Sequence, residues 1–194
     1  MHQTDSAPKK QIITIAGRPG SGKSTTAKQT AARLGFRHFS SGDLFRLLGK
    51  ERGVDVLSAN MTPGVTEELD HLVDSKLRAI GVNDDRLVID SRTAWHWIPN
   101  SFKVFLDLDL MIAAQRILDG MTEERLASEN VHSSPEKYAD LLKNRLDVEA
   151  QRYKTIYGIN PYDPTNYDLV IDTAQNDIEE AVNKVVSGYK EWHA

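Results

Sequence analysis

No cysteine occurs among the 194 residues, which excludes disulfides and thiolate metal sites and fits a reducing compartment. No apolar run approaches the ~20 residues needed to span a bilayer. The polar stretch from Met1 to Lys10 also lacks the apolar segment of a secretory signal, so residues 1–10 read as a flexible tail. Positive charge is not in excess either. With 24 Lys and Arg against 28 Asp and Glu, the formal net charge is −4, which argues against broad electrostatic capture of nucleic acid. Internal repeats and low-complexity segments are missing as well. The remaining composition, 40% hydrophobic and 27% charged, is that of an ordinary globular protein, expected to be a cytoplasmic single domain over residues 11–194.

What the chain does contain is the octet Gly17-Arg18-Pro19-Gly20-Ser21-Gly22-Lys23-Ser24, which fits G-x-x-x-x-G-K-[ST]. An apolar run, Ile12 to Ala16, precedes it, and a helix-compatible stretch, Thr25 to Leu34, follows. Strand, glycine-rich loop and helix in that order cradle phosphate. Glycines let successive backbone N–H groups turn toward the anion, and the positive end of the helix dipole favours the same charge. In such a loop Lys23 reaches the β- and γ-phosphates and the Ser24 hydroxyl ligates Mg²⁺. The chain is therefore expected to bind a nucleoside triphosphate. A guanine-reading Asn-Lys-x-Asp tetrad is lacking. Asn144-Arg145-Leu146-Asp147 lacks the lysine and Asn183-Lys184-Val185-Val186 the aspartate, which disfavours a GTPase switch.

Short apolar runs alternate with longer helical patterns along the rest of the chain. Strands are expected at Gln11–Ala16, His38–Ser40, Leu87–Asp90, Phe102–Leu108 and Leu169–Asp172. Helices are expected at Lys23–Leu34, Asp43–Arg52, Thr66–Ile80, Met111–Asp119, Ser134–Tyr157 and Ile178–Trp192. The alternation predicts an α/β three-layer sandwich, a five-stranded parallel sheet with helices on both faces. The polar stretch 119–135 reads equally as a small helical lid that excludes water from the γ-phosphate or as an ordinary surface loop.

Four groups of polar residues bear on the chemistry. Asp90 ends a buried strand beside the phosphate loop, where it can hold a Mg²⁺-bound water or accept a hydroxyl proton, or merely cap a helix. Arg92, two residues on, offers a planar fork to a second anion. In Ser40-Ser41-Gly42-Asp43-Leu44-Phe45-Arg46 a serine or Asp43 caps the next helix, and Arg46 lies one turn in, on the same rim. On the helix from Ser134, Tyr138, Leu142, Glu149 and Ile156 share a stripe into which Arg145 and Arg152 fall. Seven residues apart, the two arginines differ by only ~20° around the axis. Their partners there are either migrating phosphoryl oxygens or a carboxylate such as Glu149 or Asp147. Arg116 either contacts the donor's base or phosphates or is solvated. Several arginines beyond the phosphate loop indicate two anionic ligands, hence a phosphotransferase.

The segments GRPGSGKSTTA, SSGDLFR, VIDSRTAW and EAQRYKTIYGIN, with YDLVIDT near the C-terminus, resemble the short, archaeal-type cytidylate kinases of the nucleoside monophosphate kinase group. The resemblance spans nearly the whole chain. It implies transfer of the γ-phosphoryl of Mg²⁺-bound ATP to CMP or dCMP by a monomer, with no nucleic acid or membrane partner. It places the ATP phosphates on Gly17, Arg18, Pro19, Gly20, Ser21, Gly22, Lys23, Ser24 and Thr25, and Arg116 near adenine and the lid. Ser41, Asp43, Arg46 and Arg92 would bind the acceptor, within a region of about 40–85. Arg145 and Arg152 would sit on the transferring group, Asp90 would match the acid ending the central strand, and Thr173–Asp177 would pass the adenine. The chain departs from the family pattern at Arg18, where a second proline is usual. It departs again at Ser91-Arg92-Thr93-Ala94-Trp95-His96-Trp97, where a glycine is usual, and in the modest basic content of 120–134. The two tryptophans either narrow the acceptor pocket or pack the core. Rival readings are a kinase for another small acceptor, shikimate-like or another nucleotide, and an ATP-binding regulatory module without turnover.

Overall fold

The computed structural model describes residues 10–53, 65–121 and 134–194. The elements run β1 (Ile12–Gly17), α1 (Lys23–Leu34), β2 (Arg37–Ser40), α2 (Ser41–Glu51), α3 (Val65–Asn83), β3 (Leu87–Asp90), α4 (Ala94–Trp97), β4 (Phe102–Asp107), α5 (Leu110–Asp119), α6 (Pro135–Tyr157), β5 (Leu169–Asp172) and α7 (Ile178–His193). The tail and most of the stretch read as a lid, residues 1–9 and 122–133, lie outside the described residues. No helix among the described residues is long and apolar enough to cross a membrane.

All five strands are parallel, in the order β2-β3-β1-β4-β5. β1 and β3 are covered on both faces, which is why IITIAG and LVID read as apolar runs rather than alternations. Successive side chains still point to opposite faces. Ile13 and Ile15 pack with Val104, Leu106 and Ile171 under α1 and α7, through Ala27, Ala31, Ala181, Val185 and Tyr189. Ile12, Leu87 and Ile89 pack under α3 and α4, through Val73, Leu77, Ile80 and Ala94. The result is the expected three-layer sandwich. With the sheet between them, β1 feeds one direction of winding and β4 the other. The crevice at the carboxyl ends of β1 and its neighbours is then the natural ligand site.

Helix boundaries follow local chemistry. The Ser40 side chain accepts the Asp43 N–H and caps α2, so that helix opens at Ser41 rather than at Asp43. Gly35 and Gly158 end α1 and α6 in the left-handed region. An Asp177–Glu180 capping box opens α7. Two short elements were not foreseen, one of them a three-residue 3-10 turn at Pro164–Asn166. The four-residue α4 is a single turn, too short for any helical period to register.

Candidate active site

The phosphate loop leaves β1 at Gly17 and enters α1 after Gly22. A Cβ on Gly17 would stand 2.6 Å from the Leu106 carbonyl oxygen, and Gly20 and Gly22 take φ of +73° and +76°. Only glycine meets these demands without strain. The Ser21 hydroxyl is buried against this turn with no hydrogen-bond partner among the described residues. That hydroxyl sits over Gly17, where a Cβ would stand 2.9 Å from it.

Lys23 Nζ donates to Asp90 Oδ1 at 2.8 Å, and the Ser24 hydroxyl donates to the other carboxylate oxygen. Asp90 itself is buried at the end of β3. Burial pulls its pKa upward, but Lys23, Ser24 and the nearby His38 outweigh that and leave it below the ordinary carboxylate range. Arg18 pairs with Asp107 at 2.6 Å across the loop. Arg116 donates to the Thr173 carbonyl at 2.8 Å, which joins α5 to the turn after β5 on the outer side of the phosphate loop.

Beside Lys23 opens a cavity of about 180 Å³. Five cations line it, Lys23, Arg46, Arg92, Arg145 and Arg152, against three carboxylates, Asp70, Asp74 and Asp90. Elements far apart in sequence supply them. Ser41 and Arg46 come from α2, Asp70 and Asp74 from α3, Arg92 from the turn after β3, and Arg145 and Arg152 from α6. The Ser41 hydroxyl donates to the Asp90 carbonyl at 3.2 Å. Asp43 does not line the cavity; it pairs with Arg46 and holds that guanidinium on the rim.

Glu149 is the pin of this arrangement. It is only 5% exposed, yet it meets Arg145 at 3.2 Å and Arg92 at 3.3 Å and accepts a hydrogen bond from the Tyr162 hydroxyl. Burial raises its pKa, and the two guanidiniums with Tyr162 more than reverse the effect. Arg152 instead meets Asp70 at 3.2 Å. Burial pushes the Asp70 carboxyl up to about 6, against the opposing pull of Arg152 and with a further push from Asp74. Each of the two arginines of α6 is thus paired with a carboxylate.

A family model described as "AAA domain" matches residues 16–141. A cytidylate kinase from Natronomonas pharaonis is 35% identical over 184 residues, covering 92% of this chain and 90% of its own. Another, from Haloquadratum walsbyi, is 31% identical over 185 residues, with 92% and 91% covered. The chain has an AAA domain and belongs to the cytidylate kinase family. Among solved structures, the shikimate kinase of Bacteroides thetaiotaomicron superposes with a TM-score of 0.61 at 15% identity, over 91% of this chain and 97% of that one. That is a likeness of fold alone.

In this member of the cytidylate kinase family, Lys23, Ser24, Ser41, Arg46, Asp90, Arg92, Arg145 and Arg152 line one cavity, whereas Arg18, Asp43 and Arg116 do not; the structure corrects the stripe of α6 and separates the roles of the two tryptophans. The buried stripe of α6 is Ala139, Leu142, Leu146, Glu149 and Tyr153, so Tyr138 and Ile156 flank it and Arg145 is half-exposed. The helix is turned so that Arg145 reaches the cavity from its edge. Trp95 packs against Ala16 and Phe105 and donates to the Arg92 carbonyl at 2.9 Å, a core role. Trp97 turns the other way and donates to Asp74 at 2.7 Å.

Asp70 and Asp74 were not anticipated. On α3 they stand one turn apart at the margin of the apolar stripe Leu69, Val73, Leu77 and Ile80. Two acids at that spacing beside an apolar stripe are a readable signal, because burying a pair of carboxylates demands partners.

Proposed function

We propose that the protein moves the γ-phosphoryl group of ATP to a pyrimidine nucleoside monophosphate, CMP or dCMP, giving ADP and the nucleoside diphosphate. One observation carries this reading. Lys23 and Ser24, where the phosphate loop enters α1, line one cavity with four arginines, so a second anionic ligand can meet the first end to end. A hydrolytic switch has no use for those arginines.

Mg²⁺ fits the residues present. The Ser24 hydroxyl and the Asp90 carboxylate form a hard-oxygen pair, and no cluster of three His, Cys, Asp or Glu occurs among the described residues. An ion that keeps waters and phosphate oxygens as ligands suits so sparse a set. Ser24 would hold it directly and Asp90 through water, and the ion would neutralise charge on the donor phosphates.

Within this reading, the backbone N–H groups of the loop and Lys23 orient the donor's β- and γ-phosphates. Arg46 and Arg92 hold the acceptor phosphate with one oxygen in line with the γ-phosphorus. That oxygen is already anionic, so no strong base is needed. As the new O–P bond forms, the bond to the bridging β–γ oxygen breaks and its electron pair leaves with ADP. Arg145 and Arg152 leave Glu149 and Asp70 to neutralise the equatorial oxygens in flight.

The decisive measurement is a coupled ADP-release assay across CMP, dCMP, UMP, AMP, GMP and shikimate. Turnover is expected with CMP and dCMP above the rest, and preference for shikimate or a purine overturns the reading. Lys23→Ala and Arg152→Ala should each lower kcat by about 10²–10⁴-fold while circular dichroism stays unchanged. Unaltered turnover in a folded Arg152→Ala protein would remove that arginine from the mechanism.

A further inference from the structure

The acceptor cavity contains two kinds of chemistry. Its cations suit phosphates. Phe45, Val73 and Tyr153, from α2, α3 and α6, add apolar lining, and Asp74 lines the same cavity. That carboxylate is 3% exposed. One of its oxygens, Oδ1, accepts from Trp97 Nε1 at 2.7 Å and from Thr93 Oγ1 at 3.2 Å, with the Tyr157 hydroxyl nearby. The other oxygen, Oδ2, is buried with no hydrogen-bond partner among the described residues. Asp70, one turn away, faces Arg152 instead.

A buried acceptor without a donor is expensive unless a ligand supplies the donor. A carboxylate oxygen is a hydrogen-bond acceptor. A pyrimidine with an amino group at its 4-position offers an N–H to such an oxygen. A pyrimidine with a 4-carbonyl places a second acceptor against it and leaves both unsatisfied. We propose that Asp74 reads the 4-amino group of the acceptor base, and that Trp97 and Thr93 position its carboxylate so that cytosine is taken and uracil refused. This deepens the CMP reading above and rests on it. It also gives the tryptophan-rich departure from the family pattern a task, since Trp97 is the donor that holds the reader still.

The test needs no variant at first. The wild-type protein is assayed with CMP, with UMP and with the monophosphate of the 2-pyrimidinone riboside, which lacks any 4-substituent. Loss of the amino group should lower kcat/KM by about 100-fold or more, and UMP should be worse still. Equal kcat/KM for CMP and the 2-pyrimidinone nucleotide would overturn the proposal. In a second arm Asp74→Asn, whose amide can donate to a 4-carbonyl, should shrink the CMP-to-UMP ratio of kcat/KM by at least about 100-fold. Affinity for a fluorescent ATP analogue serves as the check of folding. Trp97→Phe, which removes one positioning donor, should raise KM for CMP about 10-fold with little change in kcat. A ratio unchanged in folded Asp74→Asn sinks the assignment of Asp74. A wild-type protein that turns over no pyrimidine nucleotide sinks instead the reading on which it rests.

Discussion

Glu149 shows how one buried charge can organise a binding site. It is nearly inaccessible, and its two oxygens are shared among Arg92, Arg145 and Tyr162. A carboxylate in that position keeps two guanidiniums at the cavity. Glu149→Gln would leave both arginines without a counter-charge. With both arginines partly exposed, the variant should lose about 1–3 kcal/mol of stability in urea denaturation at pH 7 and raise the acceptor KM about 10-fold or more. Unchanged values for both would show that the arginines are held by something else. The pH dependence has a definite sign. Because the folded pKa of Glu149 is depressed, its stabilisation is present above the unfolded carboxylate pKa and is lost as pH falls through the lower, folded value. The Glu149→Gln protein should therefore lack part of the wild type's loss of stability in acid.

At the level of elements, the turn from β1 into α1 is the most constrained segment. Gly22 caps α1 at φ +76°, and a Cβ there would lie 2.6 Å from Ile178 Cδ1 at the start of α7. Strain and contact therefore act together, although Ile178 is a flexible neighbour that can give way. Gly22→Ala should lower stability by about 1–2 kcal/mol. It should also weaken binding of a fluorescent ATP analogue, because the N–H groups that follow are displaced. A protein that binds the analogue normally would show that the loop tolerates a side chain at this position. In the sequence this turn was wholly legible, since its glycine spacing is a backbone requirement rather than a packing outcome. The α3 helix was legible as an element but not as part of the site. Its apolar stripe announced a buried face, whereas the partners of Asp70 and Asp74 come from α6, from the turn after β3 and from α4.

For the whole molecule, Asp70 ties stability to pH in the direction opposite to Glu149. Its carboxyl titrates at about 6 in the folded chain against the ordinary aspartate value of 3.8, chiefly through burial, with Arg152, Asp74, Arg92 and Glu149 around it. The folded protein thus holds a proton there that the unfolded chain has released, so this group's contribution falls as pH rises from about 4 through 6. Relative to Asp70→Asn, the wild type should lose roughly 2–3 kcal/mol of stability between pH 4 and pH 7, measured by denaturant titration at each pH. A difference that stays constant across that range would remove Asp70 as the source. Taken alone, the amino-acid sequence determined the order of strands and helices along the chain, the phosphate loop, and the presence of several arginines in excess of what one triphosphate needs. These are local matters, decided by glycine geometry, by runs of apolar residues and by charge. Which carboxylate holds which arginine, which tryptophan packs and which one donates, and the unpaired oxygen of Asp74 were decided only by the tertiary structure. Each of those depends on α3, α4 and α6 being brought to one rim of the sheet, and that meeting is set by the burial of their apolar faces rather than by any spacing along the chain.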